Sequence, residues 1–218
     1  MFIYTVKQFF EKLELALKSN TVYGTGGFGA CLNNKNQLER YCKNTPELEK
    51  VIRERAAKGD AFAFDCVGLI KGILWGWNAN TSSIYGGAEY KSNGVPDTGC
   101  SGMLSRCSDV SSDFSKIIPG ELLYMDGHVG IYAGDGMAYE CTSAWDKKVQ
   151  KVECWNVKKT GRGRKWEKHG KLPWIDYSGV IEPLKVVISG FKTKDECSKF
   201  KSALSTLLFD TSASLTIE

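Results

Sequence analysis

Asp65-Cys66-Val67-Gly68-Leu69 and Gly127-His128-Val129-Gly130-Ile131-Tyr132 are the two segments of this chain whose residue types and setting suit covalent chemistry. A thiol becomes an effective nucleophile as its thiolate or with a base beside it, and histidine is the side chain best tuned to take that proton near neutral pH. The chain has two histidines. His128 opens the run Val129 to Ala133, which ends in the turn signal Gly134-Asp135-Gly136 and reads as a strand, whereas His169 falls in a polar, basic stretch that reads as a loop. Taken alone, Cys66 reads as a small buried hydrophobe. The strand-borne His128 makes it a candidate nucleophile with His128 as its base.

Local patterns predict the elements that must position these groups. Val67, Ile70, Ile73, Leu74 and Trp77 recur at helical spacing, so a helix should begin at Asp65, with that aspartate as its N-cap. Cys66 then lies in the first turn, where unpaired N–H groups and the positive end of the helix dipole favour a thiolate. Thr5 and Gln8 form a capping-box pattern, and Val6, Phe9, Phe10, Leu13 and Leu17 make one face of an amphipathic helix. Thr45-Pro46 opens a helix-like run to Lys58, and Cys100, Met103, Leu104 and Cys107 read as core positions of one helix.

Taken together, these residues resemble the NlpC-type cysteine peptidases of bacterial cell-wall metabolism and their CHAP relatives. The matching pieces are Asp65-Cys66-Val67-Gly68-Leu69, then Pro119-Gly120-Glu121-Leu122-Leu123, then His128-Val129-Gly130-Ile131-Tyr132, in the family's order across about residues 20 to 178. Tyr23-Gly24-Thr25-Gly26-Gly27 is similar to the family's glycine-rich entry segment. The resemblance implies an α+β, papain-like fold, a nucleophile helix packed on an antiparallel sheet, and hydrolysis of peptidoglycan amide bonds without a cofactor or metal. It gives Cys66 and His128 catalytic roles, puts Glu140 at the position that orients the imidazole, and makes Asp65 and Tyr23 substrate-binding residues. Thr21 and Val67 depart from the family's usual tyrosine and serine, and an insert from Phe28 to Ala61 separates the glycine segment from the nucleophile. The bond cut is therefore open between an endopeptidase and an amidase cleavage. A non-catalytic wall-binding module and a cytoplasmic acyltransferase of papain-like fold are further readings.

Whether Glu140 meets His128 depends on hairpin register. A three-residue loop over Gly134, Asp135 and Gly136 sets His128 opposite Thr142 and makes Glu140 its diagonal neighbour on the same face. A two-residue Asp135-Gly136 loop turns the second strand over and puts Tyr139 and Cys141 on that face instead.

Composition bounds the rest. With 218 residues, 42% of them hydrophobic, the chain can bury one substantial core. Its net charge of 29 − 25 = +4 is too small to argue for nucleic acid as a partner. Eight cysteines, at positions 31, 42, 66, 100, 107, 141, 154 and 197, show no CxxC pair and read as reduced thiols rather than zinc ligands. Neither a signal peptide nor a membrane-spanning run is evident, so the expectation is cytoplasmic synthesis and action on the wall after lysis or holin-type release.

Gly24-Thr25-Gly26-Gly27-Phe28-Gly29 fits a dinucleotide fingerprint, but the segment before it is helical in pattern rather than a strand, and a turn or close backbone packing is the better reading. Lys158 to Lys171, with seven basic residues near Trp155, Trp166 and Trp174, reads as a solvated loop with inward-packed tryptophans rather than a single-strand binder. Trp166 and the run His169 to Pro173 are expected to close the catalytic domain around Tyr177. A boundary near Glu182-Pro183 divides a catalytic domain, 1–182, from a small β-α-β unit, 183–218, that weakly resembles half of a SPOR-like module and suits wall binding or self-association.

Overall fold

The computed structural model describes residues 3–180, together with Thr193, Asp195, Glu196, Ser198 and Lys199. The chain divides into two compact units, Met1–Val180 and Ile181–Glu218. Apart from those five residues, the β-α-β unit expected over 183–218 lies outside the described residues. The first unit mixes helices and sheets, an α+β arrangement.

It begins with strand β1 (Tyr4–Thr5) and helix α1 (Val6–Lys18), which carries the full Thr5–Gln8 capping box. Strands β2 (Thr21–Tyr23) and β3 (Phe28–Cys31) flank the glycine segment. Within the insert, α2 (Lys35–Asn44) precedes a 3-10 turn at Pro46–Leu48 and α3 (Glu49–Ala57). Strand β4 (Phe62–Phe64) then feeds α4 (Cys66–Leu74), so Cys66 is the first residue of its helix. After a long loop come α5 (Cys100–Leu104) and β5 (Ser108–Ser111). The main strands follow: β6 (Leu122–Met125), β7 (His128–Gly134), β8 (Met137–Cys141) and β9 (Val149–Cys154). Short strands β10 (Gly163–Arg164), β11 (Lys168–Lys171) and β12 (Ile175–Asp176) complete the unit.

The large sheet has the order β10-β9-β8-β7-β6-β11-β5, and its central pairs β6–β7, β7–β8 and β8–β9 are antiparallel. A smaller sheet orders β2-β4-β3, and β1 pairs with β12. Strand alternation sorts the core. Val129, Ile131, Tyr139 and Cys141 pack with Phe9, Leu13, Leu69, Ile70 and Ile73 between the sheet and helices α1 and α4. The opposite parity, Tyr132, Ala138 and Val152, packs with Phe114, Leu123 and Trp166. The insert packs Leu32, Tyr41, Leu48 and Ile52 against Val22 of β2 and Ala63 of β4 as a second core cluster.

Four local expectations change. The helix at Cys100 stops at Leu104, leaving Cys107 beyond it with its thiol bonded to the Met103 carbonyl. Helix α2 was not foreseen, because Tyr41 and Cys42 are its only buried side chains and its sequence is otherwise polar. Thr45 does not cap the following helix; its hydroxyl accepts from the Thr25 amide and ties the insert to the glycine segment. His169 lies on β11, not in a loop, and is 3% exposed because β5 and β6 pair on either side of it. Closure around Tyr177 does occur: its hydroxyl accepts from the Leu172 amide and donates to the Gly120 carbonyl.

Candidate active site

Cys66 is held in place by the glycine segment. The Asp65 amide donates to the Gly27 carbonyl at 2.9 Å, and the Asp65 carboxylate accepts from the Gly68 amide at 2.6 Å and the Gly26 amide at 2.8 Å. One side chain thus caps α4 and anchors the loop above it. A methyl group on Gly68 would sit 1.7 Å from the Gly27 carbonyl oxygen, so the helix approaches this closely only with glycine there. The resulting Cys66 is 8% exposed.

His128 reaches Cys66 because each begins its element. The two side chains are near enough for each to shift the other's pKa. Nε2 of His128 lies 2.8 Å from Oε2 of Glu140. The hairpin that brings them together combines the two loop geometries considered from sequence. Asp135 and Gly136 both have positive φ, 52° and 70°, and form a two-residue turn with Gly134 opposite Met137. An irregularity between Tyr132 and Gly134 leaves Ala133 unpaired, and below it Tyr132 faces Ala138 and Ile131 faces Tyr139. That bulge restores the parity of a three-residue loop, so Glu140 stands diagonal to His128.

Glu140 has no exposed surface, and three donors surround it. Besides His128, it accepts from Gln150 Nε2 at 2.8 Å and Arg164 Nε at 2.6 Å. Arg164 also donates to the Thr142 hydroxyl at 2.9 Å and lies over the Trp145 ring at 4.6 Å. Burial alone would raise the Glu140 carboxyl pKa, but its contacts with His128 and Arg164 and its bond from Gln150 outweigh it and hold the group below the ordinary range. An ionised carboxylate can only accept, so Nε2 of His128 carries the proton and Nδ1 of the neutral ring is left with its lone pair. Burial lowers the affinity of His128 for a second proton, yet its bonds to Cys66 and Glu140 prevail and raise its pKa.

Trp166 completes the setting. Its ring stacks on His128 with centroids 5.5 Å apart and planes inclined by 14°. A Cβ on Gly130 would meet that indole at 3.0 Å and the Tyr139 carbonyl oxygen at 2.7 Å. Gly130 therefore leaves the room in which Trp166 lies against the imidazole. Sequence reasoning singled out neither Gln150 nor Arg164 as site residues. Gln150 faces Glu140 across β8–β9, a register that depends on the intervening loop, and Arg164 was one basic residue among seven.

A second thiol also reaches the site. Cys100 Sγ is 3.6 Å from Cys66 Sγ. The bond to Cys100 and then burial push the Cys66 thiol up, against a smaller lowering by His128, while the same sulfur contact pulls Cys100 down. The neighbouring sulfur and burial thus oppose the thiolate that the helix start favours.

Both substrate-binding candidates lie near the sulfur. Tyr23 is half-buried at the end of β2, and burial foremost, with the Asp65 charge adding, pushes its phenol up to about 12. Asp65, with both oxygens bound to amides, lines a cavity of about 460 Å³ together with Gly26, Gly27, Phe28, Gly68, Lys71 and Arg40 from the insert. His169 is remote in role: it bonds Glu121 and the Asp113 carbonyl and packs on Phe114.

Among the described residues, no group of three or more His, Cys, Asp or Glu side chains is arranged to hold a metal ion. No helix among them is long and apolar enough to cross a membrane. The chain matches no protein-family model and no curated protein.

Proposed function

We propose that this chain is a peptidoglycan hydrolase of the papain-like NlpC/CHAP kind, a phage endolysin-type endopeptidase that cleaves an amide bond of the stem peptide. The observation that carries the reading is the carboxylate of Glu140 2.8 Å from Nε2 of His128, an imidazole that also shares its electrostatics with the Cys66 thiol at the start of α4. This is the arrangement a nucleophile, base and orienting group require. The motif order Asp65-Cys66, Gly120-Glu121 and His128-Val129-Gly130 supports it further.

In the proposed reaction the Cys66 sulfur attacks the amide carbonyl as Nδ1 of His128 removes the thiol proton. The backbone N–H of Cys66, at the start of α4, donates to the developing oxyanion. The imidazolium, held by Glu140, then gives its proton to the leaving amine. Water enters, Nδ1 takes its proton, and the acyl group is released. Asp65 lines the cavity beside the start of α4, to which the insert contributes Arg40, and Asp65 and Tyr23 are the residues assigned to hold substrate there. The wall is the partner, reached after the cell is opened.

The same site serves an amidase that cuts between sugar and peptide. Mass spectrometry of purified peptidoglycan digested with the protein separates the readings. An endopeptidase frees a new amine within the stem peptide, an amidase frees lactyl-linked glycan and intact stems, and a wall-binding module frees nothing.

A further inference from the structure

We propose that Cys66 and Cys100 form an oxidation site, a thiol pair that a hydroperoxide converts to an intrachain disulfide, masking the nucleophile reversibly. The sulfurs are already 3.6 Å apart, and about 1.5 Å of approach brings them to the roughly 2.05 Å of a disulfide. The fold holds the pair together from both sides. Cys66 is fixed by Asp65 and the glycine segment, as described above. The segment leading to Cys100 is fastened to α4: Trp75 Nε1 donates to the Val95 carbonyl at 2.9 Å, and Lys71 is ion-paired with Asp97. Other thiols point elsewhere, Cys31 to the Thr81 carbonyl, Cys107 to that of Met103 and Cys141 to that of Phe64. Cys100 is only partly buried, which leaves room for a small oxidant.

The chemistry takes two displacements. The sulfur of one cysteine, having lost its proton, attacks an oxygen of the hydroperoxide; the O–O bond breaks, an alcohol or water leaves with a proton, and a sulfenic acid remains. The second sulfur, giving up its own proton, attacks the sulfenic sulfur. The S–O bond breaks, the S–S bond forms, and hydroxide leaves as water. In sum, two thiols and one hydroperoxide give a disulfide, an alcohol (water when the oxidant is hydrogen peroxide) and water; the sulfurs are oxidised and the peroxide bond reduced by the same two electrons. A thiol reductant reverses it by exchange.

Formation of the disulfide does not depend on the hydrolase reading; the loss of hydrolysis that accompanies it does. The test is non-reducing peptide mapping of the full chain after brief treatment with hydrogen peroxide, with wall hydrolysis followed in parallel. A Cys66–Cys100 linked peptide, with hydrolysis lost and then restored by dithiothreitol, is the expected result. Cys100→Ser should instead accumulate sulfinic or sulfonic Cys66 that dithiothreitol does not rescue. Over-oxidised Cys66 beside a free Cys100 in the wild type, or a link from Cys66 to another cysteine, overturns the proposal whether or not the wall is cut. A 66–100 link in a protein that never cuts wall upholds the oxidation site and removes the hydrolase reading.

Discussion

Glu140 meets His128 at 2.8 Å because the unpaired Ala133 offsets the two-residue turn at Asp135-Gly136. Without that bulge the same turn would bring Tyr139 and Cys141 to the face of His128, and the imidazole would have no carboxylate.

Glu140→Gln keeps a hydrogen-bond acceptor but removes the charge that stabilises the imidazolium. Turnover should fall by about 10- to 100-fold, less than for loss of the nucleophile, since positioned proton transfer contributes about 10²–10⁴-fold in all. The pH dependence has a definite sign. Glu140 raises the His128 pKa, so the variant should lose its second ring proton at lower pH, and the acidic limb of kcat/KM should move down the pH scale. An acidic limb that stays in place or rises would remove Glu140 from the proton-transfer unit.

Arg164→Gln takes a cation from a carboxylate with no exposed surface. His128 and Gln150 remain, so the loss should be about 1–2 kcal/mol, below the 3–5 kcal/mol of a fully broken buried pair. Because the folded Glu140 pKa is depressed, its stabilisation is present above the unfolded value of about 4.3 and disappears as pH falls through the folded value. Urea melts of the two proteins should therefore differ near neutral pH and converge in acid.

Gly130→Ala tests the stacking of Trp166 on His128. The added methyl meets the indole at 3.0 Å and a carbonyl oxygen at 2.7 Å, and overpacking of this kind costs about 1–3 kcal/mol. Turnover measured per folded molecule should drop as well, because the ring that sets the imidazole plane is displaced. Unchanged turnover with lowered stability would make Trp166 a packing residue alone.

His169→Ala should behave in the opposite way, keeping turnover per folded molecule while losing thermal stability, since it strands the buried Glu121. Burial tends to lower the His169 pKa, but bonds to Glu121 and the Asp113 carbonyl raise it overall. Its contribution is complete below the unfolded value of about 6.5 and is lost as pH rises through the folded value. The gap in Tm between wild type and variant should be widest on the acid side.

The parts of the site that were legible from sequence are those set by local spacing. Asp65 caps α4, Thr5 and Gln8 close a capping box, and His128 begins its strand, each decided within a few residues. The face of Glu140 was not decidable, because Asp135-Gly136 dictates one turn and an unpaired alanine that carries no turn signature reverses its effect. Gln150, Arg164 and Cys100 enter through pairings between distant segments, which no spacing encodes. His169 looked solvated among lysines, and only β5 and β6 closing around β11 bury it.

The central claim, that the Cys66 thiol cuts wall peptide with His128 as its base, is tested most directly by the amines released from purified peptidoglycan by wild type and by a folded Cys66→Ser protein. The account predicts new stem-peptide amines with the wild type and essentially none with Cys66→Ser, at matched circular dichroism and melting temperature. Release by Cys66→Ser at the wild-type rate would contradict it.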